Sequence, residues 1–231
     1  MVLLPLIILL LVRSTFVESA IVVVIISKWR IFSVRPRYWL ANIRANLVDI
    51  TVGMSVIAFM YHTNSFTASL FWAAFYCVWL LVLKPRSTSL GIGIQAYIAL
   101  GIGLSAIFNN YSHVNQVYLI LATWIVSFGA SRHFLASSED ESNKLLSHLW
   151  AVFAVEMALI LGHWHILYSV FFVSIAQVAL VLLVIGYSLG VGYYVHRTRG
   201  ITKGFKRQLF LVCSTTLLLI VVLSEWQSKT F

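Results

Sequence analysis

Residues 145–163 read LLSHLWAVFAVEMALILGH. As a helix this run is about 28 Å long at 1.5 Å per residue, close to the ~30 Å hydrocarbon thickness of a bilayer, and Glu156 is its one acidic residue. Working outward from it, apolar runs of similar length fall at about 2–26, 47–62, 66–83, 89–108, 117–135, 145–163, 167–194 and 208–225. The rest of the chain offers little else. Of 231 residues 61% are apolar and 10% charged, with a mean hydropathy of +0.93, whereas an ordinary soluble domain carries about 25% charged residues. Three prolines and two cysteines exclude a Pro-rich disordered tail and a disulfide-stapled module. The expected fold class is all-α, a polytopic integral membrane helical bundle of about eight transmembrane helices, with residues 1–231 forming one transmembrane domain and no soluble domain.

The basic residues set the expected orientation. Fourteen of the sixteen Lys and Arg fall in alternate connections, after the first, third, fifth and seventh runs, and the intervening connections carry none. The positive-inside rule assigns those basic loops to the cytoplasm and turns both termini outward, in a bacterial-type cytoplasmic membrane. Val17 and Ser19 would suit a signal-peptide cleavage site, but no basic residue precedes the apolar stretch 2–12, so a retained helix is the expectation.

Basic residues interleaved with Trp29, Phe32, Tyr38 and Trp39 mark a membrane interface and exclude a nucleic-acid surface, despite a net charge of +9. Residues 38–47, following Pro36, read as an interfacial amphipathic segment. Arg35, Arg37, Arg44, Arg197 and Arg199 are candidates for contact with an anionic lipid headgroup or a phosphate.

A charge at the centre of a membrane helix costs about 2.5–3.5 kcal/mol on insertion scales, so each one asks for a partner or a task. Glu156 lies in the sixth run. His163, seven residues on, is about 20° round the helix from it and His148, eight back, about 80° round, so the run carries a polar stripe. A carboxylate and imidazoles in series are groups that a proton or cation path uses. Arg13 and Glu18 interrupt the first run; Arg13 is the candidate partner of Glu156, and Asp49 is expected to pair near the cytoplasmic side with Arg44. Gln95 and Gln177 are embedded amides expected to bond across helices.

His62, His113, His163 and His165 fall on the outward side and are the candidate metal ligands; His133, His148 and His196 fall inward and would be the haem ligands of a redox enzyme. No motif accompanies either set, and no cofactor is expected. Every lysine is peripheral, which excludes a Schiff base deep in a helix. Close helix crossings are expected where glycines recur, in the repeat LGIGIQA and LGIGLSA of residues 90–96 and 100–106, and in GYSLG at 186–190. Three functions are compatible with this reading. The first is a transporter- or channel-like protein with a path through His148, Glu156 and His163, joined by Arg13 and Glu18. The second is a non-catalytic subunit or assembly factor of a membrane complex, or a homo-oligomer. The third is a membrane-embedded haem or metal enzyme.

Overall fold

A computed structural model describes residues 2–109, 115–136, 142–164 and 166–224. Among these residues nine α-helices follow in order: α1 Leu3–Arg13, α2 Val17–Ile26, α3 Trp39–His62, α4 Phe66–Val78, α5 Ser89–Asn109, α6 Gln116–Leu135, α7 Asn143–Gly162, α8 Gln177–Arg199 and α9 Lys203–Val222. A two-stranded hairpin, β1 Leu167–Val170 and β2 Val173–Ala176, precedes α8. The seven helices from α3 to α9 are long and apolar enough to cross a membrane. The chain is an all-α membrane bundle.

Successive spanning helices reverse direction. Phe59 stacks on Trp72 while Asp49 meets Trp79, so α3 and α4 are antiparallel. A Cβ on Gly190 would meet Tyr97, one on Gly101 would meet Leu183, and the Ala176 N–H donates to Ser105 Oγ, which runs α8 antiparallel to α5. The connections rich in Lys and Arg therefore collect at one end, called here the basic end, and the turn at Asn64 and the β-hairpin lie at the other. Two apolar clusters form the interior. One joins α1 to α4 through Trp72, Tyr76 and Trp79, and the other joins α5 to α8 through Leu104, Phe108, Ala154 and Leu182. In lipid such cores hold by close van der Waals packing, and small residues permit it. A Cβ on Gly103 would come within 2.7 Å of Thr51 and 2.8 Å of Val126, so the repeat in α5 seats that helix between α3 and α6.

Four of the expected runs are built differently. The run 2–26 is two short helices, not one span. Thr15 takes a left-handed φ of 66°, with its N–H bonded to the Val12 carbonyl and the Phe16 N–H to the Leu11 carbonyl, a Schellman stop. Arg13, Ser14, Thr15 and Glu18 cluster there; as one helix they would put two charges inside lipid, whereas a break puts them at a surface. The interfacial segment 38–47 is part of α3, which runs unbroken for 24 residues, because Pro36 sits in a 3-10 turn just before it, where a missing N–H costs nothing. The seventh run does not begin at 167: residues 167–176 form the hairpin and the helix starts at Gln177. The last helix spans Lys203–Val222, five residues earlier than the run at 208–225.

Candidate functional site

Two polar features and one cleft are built into the basic half. Asp49, 6% exposed, lies ten residues into α3 and accepts from Lys28, from Lys84 and, at 2.9 Å, from Trp79 Nε1. Arg44, the expected partner, is exposed, and the ion pairs to this carboxylate come from Lys28 and Lys84 instead. Lys28 arrives because α2, closing with Val24 against Gly53, runs antiparallel to α3 and delivers its following residues to the level of Asp49. Lys84 arrives through a π turn over Trp79–Leu83, closed by the Lys84 N–H on the Trp79 carbonyl at 2.8 Å. The wider turn brings Trp79 and Lys84 onto one face, where both reach Asp49. Burial pushes the Lys28 ammonium below the usual lysine range, and Asp49 opposes that shift.

Beside this node Gln95 Nε2 donates to the carbonyls of Leu83, at 2.6 Å, and Arg86, at 2.9 Å, which the end of α4 leaves open. Its Oε1 lies 2.8 Å from His133 Nε2. At the opposite end Gln177 Nε2 donates to Ser224 Oγ at 2.6 Å, tying α8 to the end of α9.

The residues singled out in the sequence are dispersed. His148, Glu156 and His163 all stand on the outer surface of the bundle along α7. His148 lies against the rings of Phe128 and Trp124, and His163 against Trp164. Among the described residues nothing pairs with the Glu156 carboxylate. Arg13 is not brought to it; its guanidinium bonds the Asn64 carbonyl and sits over the Phe66 ring, at the end away from the basic loops. Glu18 is exposed in the first turn of α2, where a carboxylate suits the helix dipole. Arg37 stacks on Tyr38; Arg35, Arg44 and Arg199 are exposed. His62 lies beside Tyr61, and His113 and His165 lie outside the described residues. Among the described residues no three His, Cys, Asp or Glu side chains gather as a metal site would need.

The cleft lies between α5 and α8, with α6 and α7 behind it. An inner chamber of about 320 Å³ is bounded by Leu100, Ala130, Trp150 and Gly186, and an outer one of about 650 Å³ by Ser89, Gly93, Tyr194 and Arg197. Tyr97, Phe134, Gly190 and Tyr193 belong to both, so the chambers adjoin. The Tyr97 hydroxyl donates to the Gly186 carbonyl at 3.0 Å, which fixes its ring across the two helices. Arg197 sits at the basic end of the cleft with its guanidinium 5.6 Å over the Tyr193 ring. Apolar and aromatic walls with, among the described residues, one cation at the rim, at several hundred Å³, are the usual makeup of a ligand pocket. The sequence reading missed the aromatic wall and named only its arginine. The available signal was GYSLG, whose glycines admit Trp150 at 186 and Tyr97 with Phe134 at 190.

No family model matches the chain, and no curated protein or solved structure matches it. What the molecule does therefore rests on its own geometry.

Proposed function

We propose that this multi-pass membrane protein is a transporter-like carrier of an anionic amphiphile, which places its apolar chain in the α5–α8 cleft and its acidic head at Arg197. The observation that carries this reading is the pair of adjoining chambers, one walled by Trp150 and the other reaching Arg197, with Tyr97, Phe134, Gly190 and Tyr193 common to both. The chemistry is complementary at each point: aromatic and aliphatic walls accept a hydrocarbon chain, and a guanidinium held over a tyrosine ring accepts a carboxylate or phosphate. In this reading the basic end faces the cytoplasm, where anionic lipids supply such molecules at high local concentration.

Fluorescent amphiphiles with the same tail and either a carboxylate or an alcohol head, added to the purified chain in neutral detergent, test it. The acidic probe is expected to bind about tenfold more tightly, a difference of ~1.4 kcal/mol, and Arg197→Gln should erase that preference. Gly93→Leu should block both probes, because Gly93 lines the outer chamber and a Cβ there meets only the Phe134 ring, at ordinary contact distances, so the larger side chain takes up space in that chamber. Equal binding of both probes, untouched by either substitution, would sink the reading.

The second reading, a subunit of a larger membrane assembly, is favoured by the outward position of Glu156. A proton or cation path through His148, Glu156 and His163 would then run between α7 and whatever covers it.

A further inference from the structure

We infer that the outer face of α7 is a docking seam for one membrane-spanning helix of a partner protein, carrying a lysine or arginine at the depth of Glu156. The exposed positions Leu145, Leu149, Val152, Glu156, Leu159 and His163 follow one another at intervals of four, three, four, three and four residues. That is the a/d spacing along which two helices interlock side chains. The opposite face fixes the rotation of α7. Ser147, Ala151, Ala154, Ala158 and Gly162 are buried, and these small side chains let α7 sit close against the bundle. Glu156 therefore cannot turn inward.

The aliphatic members of the stripe are at home against lipid, and Glu156 is not. It lies six residues before the end of α7, about 9 Å inside the span, where a carboxylate needs a cation beside it. A second copy does not supply one. Across a two-fold axis the seam sets Glu156 against its own equivalent, and every described Lys and Arg of the spanning helices α3 to α9, Arg44 included, lies toward the basic end. Arg13 is held at Asn64 and Phe66. Charge complementarity thus selects a different chain, and Glu156 at a single a position would set its register as lone polar residues do in coiled coils. This inference does not depend on the cleft.

The test uses the full chain, donor-labelled in phosphatidylcholine vesicles, with acceptor-labelled synthetic Leu/Ala helices of about twenty residues. One helix carries a lysine about 9 Å from one end and the other carries leucine there. Energy transfer is expected to show the lysine helix associating about tenfold more strongly, with the preference lost in Glu156→Leu and Glu156→Gln and kept in Glu156→Asp. Because Glu156 is exposed, all three variants should elute and melt as the parent does. Equal association of the two helices, or persistence of the lysine preference in Glu156→Gln, would overturn the inference. So would self-association of the labelled chain that disappears in Glu156→Leu, which would make a second copy the occupant.

Discussion

Asp49 holds two ammonium groups and an indole N–H from two other segments, so its loss should be felt well beyond α3. Asp49→Asn leaves Lys28, 7% exposed, without its counter-charge. Removing one partner of a buried pair typically costs about 3–5 kcal/mol, and the exposed position of Lys84 places the expected loss toward the lower figure. A thermal melt of the detergent-solubilised protein measures it, and Asp49→Leu combined with Lys28→Met should recover most of the loss, since a well-packed apolar replacement removes both charges together. Tyr76 provides the contrast. Its ring is fully buried and, among the described residues, its hydroxyl has no hydrogen-bond partner. Tyr76→Phe is expected to leave the melting temperature unchanged or raise it slightly, with at most ~1 kcal/mol gained; a clear loss would mean that the hydroxyl is satisfied. The pairing of Asp49 was illegible in the sequence for a definite reason. Arg44 is near it in the chain, whereas Lys28 and Lys84 reach it only through the break at Thr15, which the sequence shows merely as polar residues interrupting a run, and the π turn at Trp79, which leaves the apolar pattern unaltered.

At the scale of elements, the pattern of apolar runs was a good guide to the helices from α4 to α7, whose ends agree to within two residues once the π turn Trp79–Leu83 is counted with α4. It failed where polarity and backbone geometry override it. Arg13, Ser14, Thr15 and Glu18 read as blemishes in one span but are the corner between two helices, and residues 167–176 are apolar enough to extend a helix yet pair as a hairpin, with Phe171 at a φ of 54° at its turn. The corner is testable. A β-branched residue in the left-handed region is strained by roughly 1–2 kcal/mol, so Thr15→Gly should raise thermal stability by up to about 1 kcal/mol after the greater freedom of glycine in the unfolded chain is counted. If 2–26 were one helix, the same change would lower stability by a similar amount. The helix crossing at Gly103 should respond in the opposite sense. Gly103→Val forces side-chain atoms against Thr51 and Val126 and is expected to cost about 1–3 kcal/mol, read as a lower melting temperature and a broadened elution peak.

For the whole molecule, charge placement organises the parts. The basic connections gather at one end, the cleft opens there beside Arg197, and the stripe on α7 carries Glu156, unpaired among the described residues, toward the other end. Membrane class and helix number to within one were legible because both follow from composition and run length. The cleft was not, because it depends on which faces of α5 and α8 meet, and α8 shows no one-sided apolar pattern to indicate its rotation. The central claim is that an acidic amphiphile occupies the space between these two helices. Photolabelling the purified protein with a fatty acid bearing a diazirine in its tail, followed by peptide mapping, tests it most directly. The account predicts label concentrated at Tyr97, Trp150 and Tyr193 and abolished by Gly93→Leu. Label spread over lipid-facing side chains such as Phe210 and Val222, with no enrichment in the cleft and no response to that substitution, would contradict it.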